Sequence, residues 1–336
     1  MLILNKILND LKQIATFFSV CILGISSLFS QNVNIPDAVF LAALINRGLD
    51  TNRDGQISYA ECEVVRYLDV FLCSINDLTG IEAFVNMDSL KCSNNRLTKL
   101  DISRNTALTY LKCSDNQLTS LDLSNNTKLT YLSCSNNKLT ILDIIKNTNL
   151  TELFCYFNQL KSLDVSACTV LKSIYCNDNK LTSLDLSDNP ALITLDCSRN
   201  ILISLDVSHN TALRSLKCGG NKLTSLDISN NIELFKGGNV LELNDNPNLK
   251  QVCVWEIPFP PVEYSNLIYS PGSPDMYFTT DCTLEISPSK LVSKITIYPN
   301  PSEGKINIDF GNPVYAGLEI FDVRANLIYK IPKLSN

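Results

Sequence analysis

Between Asp50 and Glu61, oxygen-bearing side chains fall at every second position and again at the end of a twelve-residue stretch. Asp50, Asn52 and Asp54 offer carboxylate or amide oxygens, Gln56 its main-chain carbonyl, Ser58 a hydroxyl that can act through water, and Glu61 two oxygens at once. Gly55 stands where the chain must turn sharply. The full spacing, D-x-N-x-D-G-x5-E, is the donor set a hard divalent cation needs, and calcium is the ion expected there. Apolar segments flank it, Ala38 to Ile45 before and Ala60 to Leu68 after, and both can be helical.

Cysteine is the second reactive residue type. Of 13 cysteines, Cys92, Cys113, Cys134, Cys155, Cys176, Cys197 and Cys218 recur every 21 residues. A strict period marks a structural repeat rather than a disulfide framework. Each thiol is expected to point inward and fill the space that a Leu, Ile or Val fills elsewhere. Side chains projecting in parallel from strands about 4.8 Å apart suit a disulfide torsion badly, and one Cys per repeat with a single histidine, His209, does not make a zinc column. Cys253 and Cys282 lie off this register. They bracket a stretch containing Trp255, Phe259, Pro260, Pro261, Tyr264, Tyr269 and Pro271, and are expected to form a structural disulfide. No nucleophile with its base, no H-E-x-x-H and no phosphate-cradling glycine turn is found, so no catalytic activity is expected.

The elements that carry these residues follow from the period. From Met87 to about Leu234 the chain repeats L-x-x-L-x-C-S-x-N-x-L-T-x-L-D-L-S-x-N, as in Leu108, Leu111, Cys113, Asn116, Leu118, Leu121, Asp122, Leu123 and Asn126. Apolar positions alternate with period two inside each L-x-C and L-D-L triplet, which predicts two short strands per coil. Asparagines follow each triplet: Asn95, Asn116, Asn137, Asn158, Asn179, Asn200 and Asn221 after the first, and Asn105, Asn126, Asn147, Asn189, Asn210 and Asn231 after the second. An amide that bonds backbone at a turn makes a ladder when coils stack. Cys168 interrupts the second ladder, and its coil is expected to be the loosest. A first, shortened coil is placed at Phe71-Leu72-Cys73-Ser74.

This pattern resembles the leucine-rich-repeat superfamily, in the bacterial variety whose unit has two nearly equivalent halves. The resemblance implies a mainly β fold: a parallel solenoid of β/β coils that buries its leucines only between neighbours and needs caps at its ends. The segment from Ala38 to Leu68 resembles an EF-hand, a small helical N-terminal cap, though no second loop is present to pair with it.

The remaining segments frame this solenoid. Lys6 and Lys12, the apolar run from Ile14 to Phe29, and Ser30 before Gln31 read as a signal peptide over 1–30. The cap and first coil follow over 31–86, the solenoid over 87–250, and a C-terminal cap over 251–286. From 287 to 336 the strand-like runs Ile295 to Tyr298, Lys305 to Phe310 and Gly317 to Val323 predict part of a small β-sandwich. With Tyr298-Pro299-Asn300-Pro301 and Gly304-Lys305-Ile306-Asn307-Ile308, this tail resembles the sorting domain of the type IX secretion system of Bacteroidota. It implies a partner in that secretion machinery and a secreted or outer-surface location, although Arg324-Ala325-Asn326 stands where a glycine turn is usual and the run is shorter than a whole domain.

Charge narrows the partners. With 28 basic and 34 acidic residues and no basic run, nucleic acid is not expected, and no stretch past the signal approaches a membrane span. Asp101, Asp122, Asp143, Asp164, Asp185, Asp206 and Asp227 form an outward row, most simply held by nearby Ser, Thr or backbone donors. The recognition candidates are Tyr110, Tyr131, Phe154, Tyr156, Phe157 and Tyr175, crowded on successive coils around the first strand. The function expected is binding or adhesion to an extracellular protein or polysaccharide. The alternative is a structural spacer without a ligand of its own.

Overall fold

The computed structural model describes residues 31–235, 240–260, 268–273 and 275–282, together with four strands between 296 and 331. The signal-peptide segment 1–30 and residues Pro261 and Tyr264 lie outside the described residues. The chain divides into two units, 1–282 and 283–336.

In the first unit each coil contributes one three-residue strand. These are β1 (Tyr67–Asp69), β2 (Ser89–Lys91), β3 (Tyr110–Lys112), β4 (Tyr131–Ser133), β5 (Glu152–Phe154), β6 (Ser173–Tyr175), β7 (Thr194–Asp196) and β8 (Ser215–Lys217). They stack in parallel and in order, and β10 (Leu241–Glu242) and β12 (Ile268–Tyr269) extend them into a ten-stranded sheet. The middle residue of each strand points into a continuous core of leucines and cysteines, while its two neighbours face out. Backbone pairing continues past the strands, as in Cys113 N to Ser133 O at 2.8 Å.

The second half of the coil differs from expectation. Only β9 (Ser225–Asp227) becomes a strand there, pairing with β11 (Gln251–Cys253) and through it with β13 (Tyr277–Thr279). In the other coils the L-D-L triplet runs straight into a turn, where the aspartate Oδ1 accepts the amide two residues on: Asp122 from Ser124 at 2.9 Å, Asp185 from Ser187 at 3.0 Å. Asp227 in β9 makes the same bond, accepting from Ser229 N at 2.9 Å, so what sets β9 apart is its pairing with β11, and the other expected β/β coils have one strand each. The stretch 251–286 likewise adds strands to both sheets, and an aromatic cluster packs beside them. Trp255 meets Phe259 edge-on at 5.0 Å, and Phe259 lies 4.8 Å from Phe278.

Two register expectations are also corrected. Because Leu68 pairs with Leu90, Val70 rather than Cys73 stands opposite Cys92, and Cys73 takes the corner place that Asn95 holds in the next coil. Nor is the Cys168 coil opened. The thiol is fully buried, with Sγ 3.6 and 3.5 Å from the carbonyls of Ile144 and Asn147, the two acceptors an asparagine amide would serve.

At the N-terminal end, α1 (Ala38–Asn46) and a five-residue α2 (Tyr59–Glu63) flank the loop. The second helix is shorter than expected, since the chain joins the sheet as β1 at Tyr67. Asp37 fastens this cap to the first coil. Its Oδ1 caps α1 through the amides of Val39 and Phe40, and its Oδ2 accepts from the amides of Asn76 and Asp77 at 2.8 and 3.0 Å. Gly80, with φ of +105°, lies so close beneath the cap that a Cβ would sit 2.7 Å from Ile35. Asp37→Ala should therefore cost about 2 kcal/mol, losing a helix cap and leaving amides unpaired. Burial pushes the Asp37 pKa up, but the four amides outweigh it and hold it below the usual value. Such a group stabilises fully above the ordinary carboxylate range and less as pH falls through its depressed pKa. Amide protection factors in 31–86 should drop in acid before those near Asn221.

The second unit contains two antiparallel pairs, β14 (Thr296–Tyr298) with β15 (Asn307–Asp309) and β16 (Leu318–Phe321) with β17 (Leu327–Ile331). These two pairs are what the described residues show of the expected sandwich.

Candidate functional site

The outer face of the ten-stranded sheet presents two parallel rows. One runs Tyr67, Ser89, Tyr110, Tyr131, Glu152, Ser173, and the other Asp69, Lys91, Lys112, Ser133, Phe154, Tyr175. The aromatic residues change row between β4 and β5, yet their rings form one stack along the solenoid. Tyr110 and Tyr131 are parallel at 4.3 Å, Tyr131 and Phe154 are tilted at 5.3 Å, and Phe154 and Tyr175 are parallel at 4.8 Å. The four rings are thus half-buried against one another rather than freely exposed. Burial pushes the Tyr131 pKa up.

Tyr156 and Phe157 continue the patch into the corner, edge to face at 5.8 Å. That corner is left-handed in every coil, at Asn94, Asp115, Asn136, Phe157, Asp178, Arg199 and Gly220 among others. Asparagine, aspartate and glycine enter this region readily, whereas a phenylalanine there is strained by about 1 kcal/mol. Phe157 nevertheless holds φ of +51° with 49% of its surface exposed.

A groove of about 480 Å³ crosses this face from Asp69 and Phe71 to Phe154 and Tyr156, with Lys91, Lys112, Ser93 and Ser114 between them. Lys112 Nζ lies 5.5 and 5.3 Å from the Tyr110 and Tyr131 ring centres, and Lys91 Nζ lies 5.1 Å from that of Tyr67. The neighbouring tyrosine is the main influence raising each lysine's pKa, so both stay charged. Tyr67, Phe71 and the two lysines were missed in the sequence. For Tyr67 and Phe71 the signal was the strand register, which placing the first coil at Phe71-Leu72-Cys73-Ser74 hides.

Of the loop residues, Asp50 accepts the amides of Asp54 and Gly55, Asn52 Oδ1 that of Asp54, and Asp54 that of Gln56. Glu61 reaches back across the loop. Its Oε1 accepts from Thr51 N at 2.7 Å, Thr51 Oγ1 and Asn52 N, and its Oε2 from both N and Oγ of Ser58. Burial pushes the Glu61 pKa up, but these hydrogen bonds prevail and hold it at about 2. The end of the loop pairs with segment 31–33, through Val33 N to Ile57 O and Tyr59 N to Gln31 O. Asp50, Asp54 and Glu61 are not gathered within 4.8 Å of one another. Among the described residues that closeness is reached by Asp227, Cys253 and Cys282, whose two sulfurs are joined as a disulfide with Cα atoms 5.2 Å apart. The seven ladder thiols are free and buried, and burial pushes Cys92, Cys134, Cys176 and Cys218 up to about 12.

Residues 127–168 match the model for leucine-rich repeats in two copies, and residues 296–335 match that for a secretion system C-terminal sorting domain. The functional domain of InlJ from Listeria monocytogenes, described as including a cysteine ladder, is 33% identical over 72% of this chain and 61% of its own, with a TM-score of 0.54. The chain therefore spans less than two thirds of that domain. Internalin C2 from the same species is 19% identical over 70% of this chain and 93% of its own, at a TM-score of 0.50, a likeness of fold alone. No curated protein matches. No helix among the described residues is long and apolar enough to cross a membrane. The chain thus has a leucine-rich-repeat solenoid and a tail that matches a secretion sorting domain, the mark of proteins exported by type IX secretion to the cell surface or beyond it.

Proposed function

We propose that the protein is a non-catalytic binding or adhesion protein of a Bacteroidota cell surface, and that it recognises an extracellular ligand through the aromatic face between Phe71 and Tyr175. The observation that carries this reading is Phe157. A half-exposed phenylalanine held in a left-handed corner, where most sibling coils place Asn, Asp or Gly, costs stability and recovers only part of it by packing against Tyr156. Recognition is the gain that offsets it. Phe157→Asn should leave the fold as stable or more so, by up to about 1 kcal/mol, while weakening ligand binding. Arrays of glycans and extracellular proteins probed with the exported chain test this. Saturable binding lost in Phe157→Asn supports recognition, and no saturable binding on either array favours the spacer.

Calcium belongs to the same proposal as a structural ion. Asp50, Asn52 and Asp54 with the Gln56 carbonyl, Ser58 and Glu61 supply the donor chemistry, and Glu61 already closes the loop onto its start. Bidentate binding requires Glu61 to exchange its bonds to Thr51 and Ser58 for the ion. That competition suits a weak site filled at millimolar extracellular calcium.

A further inference from the structure

Two residues lead each coil into its corner, and backbone pairing fixes which of them are equivalent. Leu72 N donates to Ser93 O, Asn94 N to Ser114 O, Asp115 N to Ser135 O and Asn136 N to Tyr156 O, at 2.9 to 3.1 Å. The corner pairs are polar in three successive coils: Ser93-Asn94, Ser114-Asp115 and Ser135-Asn136. Asn94 and Asn136 both donate their side-chain amides to Asp115, which ties these corners into one row. In the coils on either side of that row the same two positions hold Phe71-Leu72 and Tyr156-Phe157. Further along, they become Asn177-Asp178, Ser198-Arg199 and Gly219-Gly220. The two apolar pairs therefore stand at the two ends of the groove, whose lining runs from Phe71 to Tyr156 with Asn94 and Asp115 between them.

Leu72 repeats the anomaly of Phe157. It holds φ of +55° with 68% of its surface exposed, in a left-handed place that suits asparagine better. It does not belong to the leucine and cysteine core. Packing within the chain gives no return for that conformation, whereas an apolar contact brought from outside would.

The order apolar, polar, apolar along the groove selects the occupant. A lipid tail would press hydrocarbon onto the bonded Asn–Asp–Asn row. A polysaccharide would find no flat ring on Leu72 to stack against. A polypeptide supplies backbone groups for the middle and side chains for the ends. Leu72 and Phe157 are four coil spacings apart, about 19 Å, which roughly six residues of extended chain cover. Residues i and i+6 of a strand also point to the same side, so one segment reaches both. The lining sets Asp69 and Asp115 against Lys91 and Lys112, and a charged stretch would meet no net opposite charge there.

Resting on the recognition face proposed above, we infer that Leu72 is its second anchor, and that the occupant is an extended, uncharged peptide segment of a partner protein. Apolar side chains at i and i+6 of that segment bury Leu72 and Phe157, and its backbone bonds across the polar corners between them.

The test uses the full exported chain and two coumarin-labelled peptides of identical composition. One has two phenylalanines separated by five threonines, and in the other two threonines separate them. The first should bind roughly tenfold more tightly, since it alone reaches both anchors at once. Leu72→Asn and Phe157→Asn should each lower its binding to the level of the second peptide, with neither variant less stable in urea than the wild type. Arg199→Asn, at a corner outside the groove, should bind as the wild type does. Glutamate or lysine in place of the central threonine should weaken binding. Equal binding of the two spacings, undiminished binding or lost stability in Leu72→Asn, tighter binding of either charged peptide, preference for cellohexaose, or no peptide binding overturns the inference. A protein on the array that is lost in Phe157→Asn and kept in Leu72→Asn would leave the recognition face standing and remove only its second anchor. No saturable binding to peptides or arrays would remove both.

Discussion

Asn137→Ala is expected to destabilise the solenoid by about 3 kcal/mol or more, while the outwardly similar Asn147→Ala costs about 1 kcal/mol. The side chain of Asn137 bonds on both sides. Its Oδ1 accepts Leu118 N of the preceding coil at 2.9 Å, and its Nδ2 donates to the carbonyls of Cys113, Cys134 and Ser135, each at 3.1 Å. Those carbonyls keep other donors, Asn116, Asn158 and Asp115 N respectively, but Leu118 N has no replacement and becomes a buried amide without an acceptor. Asn147 works on one side only. Nδ2 donates to the Leu123 and Asn126 carbonyls, which also receive Asn126 N and Leu129 N, and Oδ1 accepts nothing from the described residues. Cys168 shows that the second ladder tolerates a thiol, so Asn147→Cys should be milder still, and Asn137→Cys should not. Urea unfolding of the four variants gives the comparison. Equal losses in the two ladders would show that the corner amides do not set the difference.

Calcium at about a hundred times its dissociation constant is expected to raise the stability of the N-terminal cap by about 2.7 kcal/mol, since an ion that binds only the folded loop stabilises it by mass action. The end coil has a neighbour on one side alone, so a looser cap frays the solenoid from that end. Melting temperature should climb with calcium in the wild type. Glu61→Gln, which weakens the bidentate ligand, should abolish most of the rise. Hydrogen exchange should localise the effect to 31–86 and leave the coils near Asn221 unchanged. Melting that ignores both calcium and chelator at every concentration would reduce the motif to a turn.

What the sequence disclosed was whatever repeats. A leucine, cysteine or asparagine occurring once per coil has its burial and partners decided by stacking, so the parallel sheet, thiol column and corner ladder were all legible from spacing. Alternation alone could not separate a strand from a turn in the L-D-L half, because the apolar pattern is the same whether or not a neighbouring segment pairs with the triplet, as β11 does with β9. Cys73 misled for a related reason. A cysteine in roughly the right place looks like a ladder member, and only the pairing of Leu68 with Leu90 shows it at an asparagine corner. The aromatic residues were found as a cluster, but not as a stack with covered faces, since their change of row depends on strand register. The lysines were silent because pairing is a property of neighbours: Lys112 and Lys217 look alike until Glu242 is seen beside one of them.

The corner amides also bear on the gene. Asn116 reaches the carbonyl of Cys92, and Asn137 that of Cys113, so each coil is tied only to its immediate neighbours in the stack. Excising one repeat's codons would bring together two surfaces that already have matching donors and acceptors. Loss or gain of a whole 21-residue unit can therefore shorten or lengthen this array without inventing a new junction. A lineage carrying it can vary the reach of its surface protein by copy number, keeping cap, groove and sorting tail as they are.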